Sequence, residues 1–283
     1  MTTTVPLVDG LDGARLPSVG FGTYRLTGAA GAEIIDEAIE NGYRLLDSAE
    51  RYGNEGAVGE AIRRATSRGI PRDDLVVTSK LPGTAHRFDH ALKSIEESVF
   101  RTGLERIDLY LIHWPNPGDG LYVEAWSALI EARRRGLIRW IGVCNFLPDH
   151  LDRLITETGV TPAVNQIEMH PFFPQIDQRA YHAQHGILTQ SWSPIGRGNE
   201  MLSDPLIARI AAANDVTSAQ VILRWHYQNS AIPLPKSSTG SRQRENLNIF
   251  DFELTAGEAG AITALGRADG RTNDQDPAHY EER

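Results

Sequence analysis

The sequence from residue 42 to 55 is Gly42-Tyr43-Arg44-Leu45-Leu46-Asp47-Ser48-Ala49-Glu50-Arg51-Tyr52-Gly53-Asn54-Glu55, and this stretch decides the predicted fold. Its apolar beginning predicts a buried strand, its polar end predicts a loop, and the next spacing predicts a helix from Glu55 to Ser67. Asp47 comes where the strand should end, and Tyr52 lies in the loop behind it. In a (β/α)8 barrel these loops carry the chemistry, so the pair is a candidate site.

Strand and helix patterns alternate along the rest of the chain. Predicted strands lie near residues 45, 77, 109, 140, 164, 189, 233 and 250, the last of them at 249–252, whereas 21–24 is predicted to be a loop. The predicted helices cover 32–40, 55–67, 90–102, 123–135, 149–158, 175–185, 205–228 with a break at 215–217, 241–247 and 255–265. Eight strands, each followed by a helix, favour an α/β fold, a (β/α)8 TIM barrel.

The remaining segments fit one domain over residues 1–283. Asp9-Gly10 between short apolar runs predicts an N-terminal β-hairpin within residues 1–20, and the polar residues 268–283 predict a flexible tail. The rival fold is an open doubly wound sheet. It is disfavoured because no Gly-x-Gly-x-x-Gly follows the first predicted strand and because polar residues recur at most strand ends.

Composition limits the function classes. The 283 residues carry 37 acidic and 28 basic side chains, a net charge of -9, which argues against a general nucleic-acid binder. No apolar run approaches the roughly 18 residues of a membrane span, and the first residues do not resemble a signal peptide. The single cysteine, Cys144, fits a reducing compartment. We therefore expect a cytoplasmic protein without membrane partners, and a monomer by default.

Three successive strand ends supply Asp47, Lys80 and His113, which join Tyr52 as candidate catalytic residues. A free tyrosine has a pKa of about 10, and a neighbouring ammonium lowers that value. Lys80 could supply the ammonium, Asp47 could hold Lys80 in place, and His113 could bind a substrate oxygen. The set indicates a tyrosine acid or base beside a carbonyl or alcohol oxygen.

A second set indicates a cofactor site. Asn145 and Gln166 follow the next two strands, where their amides suit another amide such as a nicotinamide carboxamide, and Trp192 could stack on a flat ring. The segment Pro235–Arg242 opens a short helix with Lys, Ser and Arg side chains, which suits an anion.

Six ordered motifs give these residues a family context, and they are spread over residues 5–265. They are the opening stretch, Thr78-Ser79-Lys80, Leu111-Ile112-His113-Trp114-Pro115, Ile141-Gly142-Val143-Cys144-Asn145-Phe146, Asn165-Gln166-Ile167-Glu168 and Pro235-Lys236-Ser237. The sequence resembles the aldo-keto reductase family, and within it the bacterial 2,5-diketo-gluconate reductase type, notably in Ser191-Trp192-Ser193-Pro194 and Leu223-Arg224-Trp225-His226.

The resemblance implies a (β/α)8 barrel that reduces aldehydes and ketones such as diketones, keto-sugars or keto acids with NADPH. It implies Tyr52 as the general acid, with Asp47, Lys80 and His113 completing a tetrad, and no metal. Lys236 and Arg242 lead us to expect NADPH over NADH. The implied cofactor-binding residues are Gly22, Thr23, Asp47, Asn145, Gln166, Trp192, Ser193, Ile195, Gly196, Lys236, Ser237, Ser238, Arg242, Glu245 and Asn246.

Two residues depart from the family pattern. Cys144 replaces the usual serine before Asn145, and a thiol is a weaker hydrogen-bond donor. Pro82 stands where many members have tryptophan, which predicts a wider and less aromatic pocket there. Tyr24 and Trp114 remain as predicted pocket walls.

Two other function classes stay open. One is a non-catalytic NADP-binding or redox-sensing subunit, which the complete set of four candidate catalytic residues disfavours. The other is a barrel metallohydrolase using His113, His170 and nearby carboxylates, for which the histidine spacing is poor.

Overall fold

The computed structural model describes residues 5–196 and 200–283. A short antiparallel hairpin pairs β1 (Leu7–Asp9) with β2 (Arg15–Pro17), as predicted, although residues 1–4 of the predicted hairpin segment lie outside the described residues. Eight further strands form one sheet with parallel pairing in chain order. They are β3 (Phe21–Gly22), β4 (Leu45–Asp47), β5 (Val76–Leu81), β6 (Ile107–Ile112), β7 (Ile138–Cys144), β8 (Val164–Glu168), β9 (Leu188–Trp192) and β10 (Ala231–Pro233).

Two backbone hydrogen bonds join the edge strands of this sheet. The N–H groups of Gly20 and Gly22 donate to the carbonyls of Pro233 and Pro235, each over 3.0 Å. A Cβ atom at Gly22 would lie 3.0 Å from the carbonyl oxygen of Leu234, so glycine lets the edges approach closely. The arrangement is consistent with the predicted (β/α)8 fold.

The loop predicted at 21–24 and the last predicted strand need correction. Phe21–Gly22, predicted as a loop, is β3, a strand too short to give a periodic signal. Residues 249–252, predicted as the last strand, are not a strand. Ile249 is fully buried, but its carbonyl accepts from Nη1 of Arg224 over 3.1 Å. The apolar signal at Ile249 therefore comes from burial in the core, and not from pairing in a sheet.

The helices follow the predicted periodicity closely, and the predicted break at 215–217 separates two of them. They are α1 (Gly28–Asn41), α2 (Glu55–Ser67), α3 (Phe88–Thr102), α4 (Tyr122–Arg134), α5 (Pro148–Thr158), α6 (Ile176–Gln184), α7 (Pro205–Ala213), α8 (Ser218–Gln228), α9 (Gly240–Leu247) and α10 (Ala256–Thr263).

Apolar helix faces cover the sheet and form the core. Ile35 and Ile39, one turn apart on α1, are both fully buried, as are Trp126 on α4 and Trp225 on α8. Truncation of a buried tryptophan to alanine costs about 3–5 kcal/mol, so these faces hold the sheet in place.

No single helix in the described parts of the chain is long and apolar enough to cross a membrane. Helices α7 and α8 pass a test of length and composition only as a pair, and they are bent by 90° at their break.

The C-terminal residues pack against the body of the protein, although the sequence predicted a flexible tail at 268–283. Glu282 is 5% exposed, and its N–H and C=O groups both bond to the side chain of Asn116. Tyr280 packs on Trp114 with ring centres 4.5 Å apart. The segment is polar because its side chains bond to loop groups.

Candidate active site

A buried ion pair lies at the carboxyl ends of β4 and β5. Nζ of Lys80 donates to both carboxylate oxygens of Asp47 and to the carbonyl of Ser48, each over 2.8 Å. The Lys80 side chain is fully buried. Burial by itself lowers the pKa of Lys80, but the charge of Asp47 and the hydrogen bond to it outweigh burial and raise the pKa above its usual value. Lys80 is thus a fixed cation.

Tyr52 lies over this cation. Its ring centre is 5.0 Å from Nζ of Lys80, and the ring is 6.0 Å from that of His113, edge to face. Burial raises the pKa of Tyr52 to about 12, while the charge of Lys80 and a hydrogen bond to it act in the opposite direction. The predicted lowering by Lys80 is therefore present, but burial outweighs it, and the phenol is protonated at neutral pH.

His113 is held from the C-terminal segment. Its Nδ1 lies 2.8 Å from Oε1 of Glu282, whose side chain is 7% exposed. Burial would raise the pKa of Glu282, but His113, the Gly83 N–H and Arg51 together lower it, so the carboxyl is ionised. Nothing in the sequence pattern pointed to this contact.

The ends of β7 and β9 are tied together. Asn145 donates from Nδ2 to the carbonyl of His113 over 3.0 Å, and its Oδ1 accepts from Nε1 of Trp192 over 2.8 Å. Asn145 and Ser193 have φ values of 64° and 49°, in the left-handed region that non-glycine residues seldom adopt. Such strain persists where surrounding contacts fix the backbone, as these hydrogen bonds do for Asn145.

The side chain of Gln166 faces the ion pair. Its Nε2 donates to Oδ1 of Asp47 over 2.8 Å and to Oε1 of Gln190 over 3.0 Å. Cys144, the unusual residue beside it, is buried and accepts from Nδ2 of Asn145 over 3.1 Å. Burial raises the pKa of this thiol, so Cys144 is neutral here. Gln166 therefore holds Asp47, and its Oε1 accepts a weak hydrogen bond from Sγ of Cys144 over 3.9 Å.

Thr23 is the predicted cofactor residue that the structure places away from the open site. It is fully buried, and its Oγ1 donates to the carbonyl of Asp47 over 2.8 Å. Its carbonyl and Oγ1 also accept from Asn54. Thr23 thus supports the end of β4.

One cavity of about 620 Å³ brings most of the other candidates together. Predicted pocket walls Tyr24 and Trp114 are both among its lining residues. The predicted catalytic and cofactor residues that line it are Gly22, Asp47, Tyr52, His113, Asn145, Gln166, Trp192, Ser193, Ile195, Gly196 and Lys236. Lys80 lies behind this lining, under Tyr52.

A second cavity of about 520 Å³ continues the first, because both are lined by Ile195 and Lys236. It contains the rest of the predicted cofactor residues, Ser237, Ser238, Arg242, Glu245 and Asn246. Lys236 and Arg242 are exposed, and neither makes an ion pair within residues 5–196 and 200–283. The two cavities thus form one elongated groove with unpaired positive charge at its far end.

Sequence reasoning missed part of the first cavity. Its lining also includes Arg25, Arg51, Asn273, Gln275, Tyr280 and Glu282. Four of these belong to the segment predicted to be a loose tail, where an isolated polar residue carries no periodic signal. The wall opposite the strand ends is therefore polar and partly charged.

Histidine 170, weighed as a metal ligand, pairs instead with protein groups. Its Nε2 lies 3.1 Å from Glu168 and 3.2 Å from Oγ1 of Thr272. Within the described ranges, no group of three or more His, Cys, Asp or Glu side chains is arranged to hold a metal ion.

The family model described as the aldo/keto reductase family matches residues 18–267. The chain belongs to the aldo/keto reductase family. It is 48% identical over 278 residues to 2,5-diketo-D-gluconic acid reductase B of a Corynebacterium species, covering 98% of this chain and 99% of that one. It is 41% identical to methylglyoxal reductase DkgA of Yersinia pestis, covering 93% and 94% of the two chains. The predicted family is thus confirmed.

Solved structures agree with this assignment. A variant of Gox0644 in complex with NADPH superposes with a TM-score of 0.91 at 40% identity, over 97% of this chain and 98% of that one. An aldo-keto reductase of Bombyx mori in complex with NADP gives a TM-score of 0.90 at 32% identity, over 99% and 98%. Both of these relatives bind the predicted type of cofactor.

Proposed function

We propose that this protein reduces aldehydes and ketones to alcohols with NADPH. One observation carries the proposal. Tyr52 and His113 line the same cavity, and the Lys80 cation lies directly behind Tyr52. That cavity continues into the second one, which is lined by Lys236 and Arg242, two cations that make no ion pair among the residues that the structure describes. A proton donor and an anion site at opposite ends of a groove suit a phosphorylated redox cofactor.

The groove residues fit NADPH. Lys236, Ser238 and Arg242 would hold the 2'-phosphate, because charge-assisted hydrogen bonds to phosphate are strong and these cations have no competing carboxylate partner within 5–196 and 200–283. Asn145 and Gln166 would bind the carboxamide. When bound, NADPH supplies the hydride that reaches the carbonyl carbon.

The chain's own residues supply the proton and the polar contacts. Tyr52, protonated at neutral pH, donates its proton to the carbonyl oxygen as negative charge develops there. His113 provides a second contact to that oxygen, so the two residues form an oxyanion site. Lys80 stabilises the phenolate that remains, and Asp47 holds Lys80. The sum is carbonyl, NADPH and one proton going to alcohol and NADP⁺.

We further propose a small, oxygen-rich carbonyl compound as substrate, such as a diketone, keto-sugar or keto acid. Arg25 and Arg51 give the cavity cationic groups, and Asn273 and Gln275 make its wall polar, which suits an oxygen-rich compound better than an apolar ketone. The relatives named as reductases of 2,5-diketo-D-gluconic acid and of methylglyoxal support this class.

The experiment is NADPH consumption measured with a substrate panel. The panel contains 2,5-diketo-D-gluconate, methylglyoxal, a keto acid and benzaldehyde as an apolar control. We expect kcat/KM to be highest for an oxygen-rich substrate. Binding of NADPH without turnover of any carbonyl would support the binding-only subunit instead, and loss of activity with a chelator would favour the metal-dependent alternative.

A cytoplasmic, monomeric protein without nucleic-acid or membrane partners remains our proposal from composition. Light scattering coupled to size-exclusion chromatography would test the monomeric state. A mass near twice 31.2 kDa would contradict the monomer.

A further inference from the structure

Glu282 connects the C-terminal segment to the candidate catalytic histidine. Its Oε1 lies 2.8 Å from Nδ1 of His113, and its Oε2 accepts from the N–H of Gly83 over 2.7 Å. Nδ1 of His113 is buried and makes no well-aligned hydrogen bond to any group in the described part of the chain, and the Glu282 carboxylate is its ion-pair neighbour. Glu282 is therefore the group available to that nitrogen.

The Glu282 carboxylate determines which ring nitrogen of His113 carries a proton. An ionised carboxyl group only accepts hydrogen bonds, so a favourable contact requires the proton of His113 to be on Nδ1. Nε2 is then the ring nitrogen left for the cavity that His113 lines. We infer that Glu282 is a positioning residue, which fixes the His113 ring with a proton on Nδ1 and Nε2 toward the substrate oxygen.

This inference rests on the proposed carbonyl reduction and adds a chemical requirement to it. With Nδ1 protonated, Nε2 donates to a substrate oxygen only when the ring carries a second proton and is an imidazolium. A buried carboxylate at 2.8 Å compensates that positive charge. The other cation near the carboxylate, Arg51, is 3.8 Å away and half exposed, so solvent shares its charge. Donation from Nε2 to a substrate oxygen therefore draws on the Glu282 carboxylate as its counter-charge.

The backbone around Glu282 is anchored independently of the His113 contact. Asn116 donates to the Glu282 carbonyl over 3.0 Å and accepts from its N–H over 2.9 Å. The neighbouring Glu281 accepts from the N–H of Gly118 over 2.6 Å and does not line the cavity. Glu281 is thus a matched control, a carboxylate that docks the same segment without contacting the histidine.

The kinetic test compares Glu282→Ala, Glu282→Gln and Glu281→Ala. We expect Glu282→Ala to lower kcat about 100-fold, because a misplaced contact to the reacting atoms costs about that much. The KM for NADPH should stay within about twofold, since His113 lies away from the cationic end of the groove. Glu282→Gln keeps an oxygen acceptor but no charge, so its kcat should be intermediate. Glu281→Ala should retain kcat.

Nitrogen NMR of the His113 ring shows which ring nitrogen carries a proton. If Glu282 only stabilised the fold, its replacement would not change that result. We expect a protonated Nδ1 in the unmodified protein and in Glu281→Ala, and a population with the proton on Nε2 alone in Glu282→Ala. An unprotonated Nδ1 in the unmodified protein would overturn the inference, as would equal kcat losses in Glu281→Ala and Glu282→Ala. The NMR result needs no turnover, so it decides the role of Glu282 even if the panel refutes carbonyl reduction.

Discussion

Nζ of Lys80 lies 2.8 Å from each carboxylate oxygen of Asp47, and the contact joins the ends of two neighbouring strands in the interior of the protein. Because both side chains are almost fully buried, neither charge is solvated without the other. The pair thus fixes the Lys80 ammonium beneath Tyr52. The desolvation cost of both charges is offset by the attraction between them.

We predict that Lys80→Met destabilises the protein by about 3–5 kcal/mol, because it leaves the buried carboxylate of Asp47 without its cation. The free energy of unfolding would be measured by urea denaturation. Adding Asp47→Asn to that variant removes the unpaired charge and should recover part of the loss, although activity stays low. The control is Lys93→Met, an exposed lysine on α3, and equal stability for the two lysine variants would contradict the prediction.

Tyr52→Phe should lower kcat for carbonyl reduction by about 100-fold to 10,000-fold, the usual contribution of a positioned acid. Only the hydroxyl is removed, so the NADPH dissociation constant should change little. Stopped-flow turnover and quenching of tryptophan fluorescence by NADPH measure the two quantities. Near-normal turnover in this variant would refute the role of the phenol.

The raised pKa of Tyr52, about 12, predicts different pH dependences for the two reaction directions. Reduction needs the protonated phenol, so Tyr52 should impose no loss of rate as pH rises through the neutral and mildly basic range. Oxidation of the alcohol needs the phenolate, so its kcat should rise about tenfold per pH unit below that pKa when proton transfer limits the rate. A plateau of the oxidation rate near neutral pH would show that Lys80 outweighs burial once ligands are bound.

Lys236→Ala and Arg242→Ala should weaken NADPH binding roughly 10-fold to 100-fold each, because a hydrogen bond to a charged group is worth about 1.5–3 kcal/mol. NADH, which lacks the 2'-phosphate, should bind nearly as before. Isothermal titration with both cofactors gives the ratio. Arg244→Ala is the control, since Arg244 on the same helix bonds to Asn41 and does not line the groove. A similar loss for NADH and NADPH would refute the phosphate assignment.

Local sequence patterns predicted most of the fold. Helix α2 has the predicted ends at Glu55 and Ser67, and seven of the eight predicted strand positions coincide with strands of the sheet. The exceptions are Phe21–Gly22, a strand of two residues, and residues 249–252, a stretch in which Ile249 is buried and Asp251 is exposed. The periodicity of apolar residues indicates which side of an element is buried, but it does not indicate which backbone groups are paired.

The candidate site was also largely predictable, for a related reason. Asp47, Lys80 and His113 are at or directly after the ends of parallel strands, and those ends meet at one edge of the sheet. Two properties of the site could not be predicted from the sequence, and they concern Tyr52 and Glu282. The sequence placed Tyr52 near Lys80, but only the packed structure gave the balance between burial and charge that sets its pKa. Glu282 lies 169 residues beyond His113, and nothing local marks the contact.

The sequence by itself determined which side chains stand at the strand ends, because strand and helix periods are local properties of the chain. It also carried the ordered motifs that connect the chain to its family. Only the tertiary structure decided which edge strands meet, how deeply Tyr52 is buried, and that the C-terminal segment returns to His113. These are contacts between residues far apart in sequence, and their geometry depends on how the whole chain packs.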